Sequence, residues 1–380
     1  MMALVLTEEQ TMLRDMAKDF FTEQVPVTNL RKLRDGEDDL GYDKDVWAQI
    51  VELGFAGILI PEEHGGTGFG PMGLGIVMTE AGRTLAATPL YSTAVLGAGL
   101  ILAAGSETQK SDLLPKIASG ELLTALALEE TNHHNPANVA MMAEKLGDGF
   151  RLSGEKKFVI DGHIADKLIV VTRTSGDVGD GQGLSMFLVD ADAKGVTVTR
   201  THMVDSRNAA IISLDGVEVS ADDALGGIDA AYPELEKVLD LGRACIAAEM
   251  LGGAEAVFET TLEYLKERKQ FGVIIGTFQA LKHRAAEMFC EVEICRSVVL
   301  EALSALDERR NDVPAVTSLA KARVGEAARL ITNEGVQMHG GIGMTDAVDM
   351  GLYLKRARVQ AQMLGDTNFH RARYADLGGY

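Results

Sequence analysis

The residues best suited to chemistry lie late in the chain. Arg268 stands four positions after Tyr264 in a helical pattern, so the two share a helix face, and an exposed guanidinium there offers a planar fork of donors to a phosphate. The plainer reading is an arginine that solvates a helix face. Gln270-Phe271-Gly272 follows, then an apolar turn, Val273-Ile274-Ile275-Gly276, after which Thr277 is expected to cap a second helix carrying Phe278, Gln279, Leu281, Lys282 and His283. Gly272 and Gly276 punctuate the stretch. Further on, Gln337-Met338-His339-Gly340-Gly341-Ile342-Gly343-Met344-Thr345 ends another helical pattern in a diglycine.

Other clusters carry less. Gly65-Gly66-Thr67-Gly68 is a glycine loop without a P-loop lysine, and reads as a tight connection between helices. His133 and His134 are adjacent, and neighbouring side chains of a strand point to opposite faces, so their spacing makes no metal site. Cys245, Cys290 and Cys295 cannot all pair and lack metal-ligand spacing. They read as small core residues of a protein in a reducing cytoplasm.

The elements that must position these residues follow from hydrophobic period. Met12, Leu13, Met16, Phe20 and Phe21 form a helical stripe behind Thr7, and helical patterns continue to Ile117. After Gly120 the period changes to short β-branched segments from Leu122 to Val219, separated by turns such as Gly147-Asp148-Gly149 and Asp215-Gly216. From Tyr232 the pattern is helical again, over Leu235–Arg268, Thr277–Asp307, Val313–His339 and Val348–Met363. The expectation is an α+β multidomain chain: an N-terminal helical domain over 1–120, a central β-barrel domain over 121–230 and a C-terminal four-helix bundle over 231–380.

Bulk properties narrow the function. A chain of 380 residues suits two or three domains. A net charge of −20 argues against nucleic acid and anionic membranes, which need clustered Lys and Arg. The longest apolar stretch, Leu90 to Ala104, is short for a membrane span and reads as a buried helix. Met1 to Leu6 runs straight into a helix start, without signal-peptide shape.

Arg268-x-Gln270-Phe271-Gly272 with Gly276-x-Phe278-Gln279 resembles the signature of the acyl-CoA dehydrogenase family of flavoproteins. The segment Gln337 to Thr345 resembles the same family's glutamine and diglycine block, and the likeness extends through Leu6-Thr7-Glu8-Glu9-Gln10 and Leu152-Ser153-Gly154-Glu155-Lys156-Lys157. The resemblance implies an FAD between the β domain and the bundle, its adenine end held by a neighbouring subunit. It implies an acyl-CoA substrate whose α-proton goes to a carboxylate while the β-hydride goes to the flavin, an electron-transfer acceptor, and a homo- or hetero-oligomer with no metal.

Measured against that resemblance, the chain is uneven. The residues a subunit lends to its neighbour's FAD are present: Arg268, Phe271, Gln279, Gln337, Gly340 and Gly341. Phe158 matches the aromatic that covers the flavin. The family's Glu-Gly-Thr, however, falls on Leu364-Gly365-Asp366, so leucine replaces the base, and the alternative base position is Gly242. Asp366 and Glu249 are the substitute candidates. The plainer reading of Asp366 is a helix N-cap or a loop hydrogen bond, and that of Glu249 an ion pair with an arginine such as Arg243 or Arg268. The family's small residues after the first strand are replaced in Leu128-Glu129-Glu130-Thr131-Asn132-His133-His134-Asn135-Pro136, where the histidines either clash with a pyrophosphate or bond to it. Three readings stay open: a dehydrogenase with a displaced base, a non-catalytic subunit completing a partner's FAD site, and thioester chemistry that needs no α-proton base.

Overall fold

Residues 5–380 are described by the computed structural model. The N-terminal third is helical: α1 (Glu8–Gln24), α2 (Val27–Asp35), α3 (Lys44–Glu52), α4 (Gly70–Arg83), α5 (Ala98–Ala104) and α6 (Glu107–Ala118). Thr7 and Gln10 form a reciprocal capping box that starts α1. The apolar stretch from Leu90 is a wide-turn helical segment, Tyr91–Gly97, running into α5, and it is buried. Among the described residues no helix is long and apolar enough to cross a membrane.

The middle of the chain forms strands β1 (Thr124–Ala127), β2 (Ala143–Leu146), β3 (Gly149–Ile160), β4 (Lys167–Arg173), β5 (Leu184–Asp190), β6 (Val196–His202) and β7 (Asn208–Val219). They make two sheets, ordered β1-β4-β5 and β2-β3-β7-β6, with a shared core that includes Leu168, Val170 and Phe187 from the first and Leu152, Ile212 and Leu214 from the second. Phe150–Leu152 and Lys156–Ile160, like Ala210–Leu214 and Val217–Val219, are expected from the sequence as separate strands, but each pair is one long strand. β3 runs through Gly154 with a register shift, and β7 runs through Asp215-Gly216, where Gly216 takes a positive φ. Glycine lets the strand absorb an irregularity instead of ending there.

The C-terminal part comprises α7 (Tyr232–Glu267), a small hairpin of β8 (Lys269–Gln270) and β9 (Val273–Ile274), then α8 (Gln279–Asp307), α9 (Val313–His339), α10 (Met350–Gln362) and α11 (Thr367–Leu377). The last helix was not expected, because its sequence is polar and only His370 of it is buried. Cys245 and Cys295 are buried as expected, but Cys290 is exposed on α8, where most positions face outward.

Contacts divide the chain into two compact units that cut across sequence order. The first gathers the chain up to Lys32, Pro71–Ala86 and Arg243–Tyr380; the second gathers Leu33–Gly70 and Ala87–Gly242. In the first, α4 and α7 approach to backbone contact: a Cβ on Gly82 would lie 2.0 Å from the Glu249 carbonyl oxygen, and one on Gly252 1.8 Å from that of Thr79. In the second, the loop over Gly65–Gly68 uses its amides internally, with Thr67 N donating to Gly57 O at 3.1 Å and Gly68 N to Ile60 O at 2.9 Å. That is the tight connection expected of it.

Two predictions follow from the first unit. Gly252→Ala should cost ~1–3 kcal/mol through overpacking, read as a lower urea midpoint at unchanged slope. Glu80 is buried on α4 beside Arg83, and burial raises its pKa from 4.5 to about 7, with Arg83 opposing and Glu255 adding to the rise. Between those values the folded state binds the extra proton, so stability should fall as pH rises from 4.5 to about 7. Glu80→Gln should remove that component of the pH dependence of urea unfolding.

Candidate active site

Local geometry explains the most exposed of the candidate residues. Lys269 pairs with Ile274 and Gln270 with Val273, leaving Phe271-Gly272 as a two-residue loop, and both residues have positive φ, 56° and 81°. That is the primed hairpin turn whose twist matches antiparallel strands. A phenylalanine in this region is strained, and its ring is 91% exposed, so burial does not compensate the strain. Backbone strain of this sort concentrates at binding sites. Thr277 does not cap α8: a 3-10 turn over Ile275–Thr277 intervenes, the Thr277 hydroxyl donates to Ile274 O at 2.6 Å, and the N-cap position falls on Phe278.

The segments around Arg268 and Gln337–Gly341 are joined within the first unit. The Tyr264 ring stacks on His339 at 4.3 Å with 24° between planes, and its hydroxyl donates to the His339 carbonyl at 3.3 Å. His339 is buried, and its Nδ1 lies 2.7 Å from Gly335 O, which sets the proton on that nitrogen. This contact ties the end of α7, where Arg268 N donates to Tyr264 O at 2.9 Å, to the end of α9. Arg268, Phe271, Gln279, Gln337, Gly340 and Gly341 are all exposed. A Cβ on Gly340 or Gly341 would meet nothing within 4 Å. An open, side-chain-free cradle near a solvent-facing guanidinium and a carboxamide suits the phosphate and adenine end of a dinucleotide, so these residues fit FAD.

The segment after β1, in the second unit, is knitted to itself. Glu130 accepts from Ala140 N at 2.8 Å, Met141 N at 3.0 Å and Lys156 Nζ at 2.6 Å. Lys156 is fully buried and also donates to Leu128 O at 3.1 Å; burial lowers its pKa, with Glu130 opposing. The His134 imidazole is buried against Glu129, 2.5 Å from its carboxylate, whereas His133 is exposed and its carbonyl accepts the Thr131 hydroxyl at 3.0 Å. The histidines thus part, one folded inward and one outward. Phe158 has φ +51° and a half-exposed ring.

Each base candidate has a partner. Asp366 is the N-cap of α11, its Oδ1 accepting from Phe369 N at 2.8 Å. Glu249 is buried on α7 and pairs with Arg356 of α10 at 3.3 Å. The partner comes from the buried face of α10, whereas Arg268 is exposed at the far end of α7. Leu364 adopts φ +52° in the α10–α11 turn, and the Gly242 carbonyl accepts the Tyr91 hydroxyl at 3.2 Å. Sequence reasoning missed Lys321 and His370, whose donors reach this turn. The available signal was a lysine within the buried face of α9, between Ala320 and Val324.

The chain carries all three domains of one family. Its N-terminal (7–121), middle (125–217) and C-terminal (233–377) segments match the corresponding acyl-CoA dehydrogenase domain models. It belongs to the acyl-CoA dehydrogenase family, whose members are flavin-dependent oxidoreductases. It is 32% identical to a probable acyl-CoA dehydrogenase, YngJ, of Bacillus subtilis (strain 168), over 96% of this chain and 97% of the relative. Its fold is similar to the Tcur3481–Tcur3483 steroid ACAD, at 32% identity, TM-score 0.87 and 98% of both chains. It is also similar to the ChsE4–ChsE5 complex of Mycobacterium tuberculosis, at 26% identity and TM-score 0.89, covering 100% of this chain and 99% of that one.

Asp366→Ala should therefore lower stability by ~0.5–2 kcal/mol through loss of the cap, while Asp366→Asn, itself a good cap, should leave it nearly unchanged. Thermal unfolding of the two variants checks this.

Proposed function

We propose that the chain serves the FAD-dependent α,β-dehydrogenation of an acyl-CoA thioester as the subunit that completes the FAD site of a catalytic partner. The observation that carries the reading is an asymmetry. The lent residues Arg268, Phe271, Gln279, Gln337, Gly340 and Gly341 stand exposed and open. The base positions hold leucine and glycine, and the candidates Asp366 and Glu249 are taken up by a helix cap and a buried ion pair. FAD, when bound, accepts the β-hydride. In this reading Arg268 would neutralise phosphate charge of the partner's FAD and Gln337 with Gly340 and Gly341 would receive its adenine end, whereas Phe158 would cover a flavin in the homo-oligomer alternative. A base removes the α-proton in concert, and losing a positioned one costs ~10²–10⁴ in rate, so a partner's carboxylate is the economical source. The similarity to two structures whose names each join two chains supports a mixed oligomer.

The alternative is a homo-oligomer that draws on Asp366 despite its cap. Both versions place the chain in the cytoplasm, with an electron-transfer acceptor downstream, and assign the barrel-like closure of the β domain and the domain limits near 120 and 230.

The purified chain alone should hold well under one FAD per copy and give no bleaching of flavin absorbance with butyryl-, octanoyl- or steroid-CoA thioesters under anaerobic conditions. Arg268→Ala should weaken FAD retention in a co-purified partner by removing a charge-assisted bond worth ~1.5–3 kcal/mol. Stoichiometric FAD and rapid bleaching in the lone chain, abolished by Asp366→Asn, would establish the alternative.

A further inference from the structure

The α10–α11 turn is held by buried donors from three helices. Lys321 of α9 is 1% exposed, and its Nζ donates to Gly365 O at 3.0 Å and Ala361 O at 3.3 Å. Arg243 of α7 is fully buried, with Nε 3.5 Å from Leu364 O and its guanidinium 5.8 Å from the Phe369 ring centroid. His370 of α11 is fully buried, its Nε2 3.0 Å from the same Leu364 oxygen and its Nδ1 3.4 Å from Ser318 Oγ, which also accepts from Arg373 at 2.8 Å. The carbonyls of 361, 364 and 365 are thus all gripped from inside.

The grip is costly. Two cations taken out of water beside each other repel. Burial, with Arg243 adding to it and Asp366 opposing, lowers the Lys321 pKa to about 7. The turn itself is strained: Leu364 sits at φ +52°, and Gly365 at φ +104° has no room for a Cβ, which would lie 2.4 Å from the Phe369 ring. The Leu364 carbonyl takes two buried donors and Lys321 takes those of Ala361 and Gly365 on either side, more than packing a leucine side chain calls for.

We propose that Lys321, with Arg243 and His370, is a positioning residue that fixes the backbone of Leu364, so that the turn is a preformed seat for a general base although the chain places no carboxylate in it. The seat's identity rests on the reading under Proposed function that position 364 is the base position; the grip itself does not. The side chain at 364 is then held as rigidly as a catalytic group would be, and in this chain it is an apolar wall.

The test separates grip from seat. In the unliganded chain, Lys321→Met keeps the stem and removes the donors and charge. It should speed hydrogen exchange of the amides at 363–366 at least 10-fold, leave α9 and the core of α10 unchanged, and leave the urea midpoint unchanged or raised, since an apolar isostere of a buried charge is often neutral or stabilising. Unchanged exchange in the turn, or acceleration spread across the bundle with a lowered midpoint, would overturn the positioning role. Leu364→Glu, loaded with excess FAD and mixed with butyryl-CoA, should gain flavin bleaching, and adding Lys321→Met should cut the limiting rate at least 10-fold while half-saturation stays within about two-fold. Absence of bleaching in FAD-loaded Leu364→Glu, with the turn still protected, would reject the base position assigned to residue 364 and leave the grip standing.

Discussion

The low-dielectric interior of this protein obliges each buried carboxylate to find a donor, and that constraint governs what the site can do. Glu249 lies against Arg356, Glu130 against Lys156 and two backbone amides, and Glu129 against His134. Asp366 is less buried, but its oxygen closes the first turn of α11. A general base must be oriented at its proton and energetically ready to take it. A carboxylate already holding a guanidinium or a helix end meets neither condition. The same pairings stabilise the fold, so moving one of them into catalysis would unbalance the element it supports.

The exposed residues have the opposite character. Phe271 stays in a strained turn with its ring in solvent, and the diglycine after α9 leaves an open cradle. Their placement is rigid all the same, because the Tyr264–His339 stack fastens the ends of α7 and α9 to each other. Exposed groups held rigidly in this way are what the proposed FAD site of a neighbouring subunit would require.

Local signals in the sequence were legible and long-range partners were not. The Thr7 cap, the buried run after Leu90 and the alternation of helical and strand periods could all be read from neighbouring residues, whereas the turn expected over Val273–Gly276 falls on Phe271-Gly272 and Val273-Ile274 is a strand. The partner of Glu249 could not: Arg356 lies 107 positions away, and only helix packing brings it there. Thr277 looked like a cap because its residue type suits one, but the 3-10 turn before α8 uses its hydroxyl. Glycines 154 and 216 looked like strand ends and are irregularities inside long strands. The grip of Lys321 on Ala361 and Gly365 is legible only in hindsight, as a lysine within the buried face of α9.

Native mass spectrometry of the tagged chain, purified from the cells that make it, addresses the central claim most directly by counting chains and flavins in one assembly. The account predicts a mixed oligomer with one FAD for each pair of unlike chains. An assembly built of this chain alone, with one FAD per copy, would contradict it.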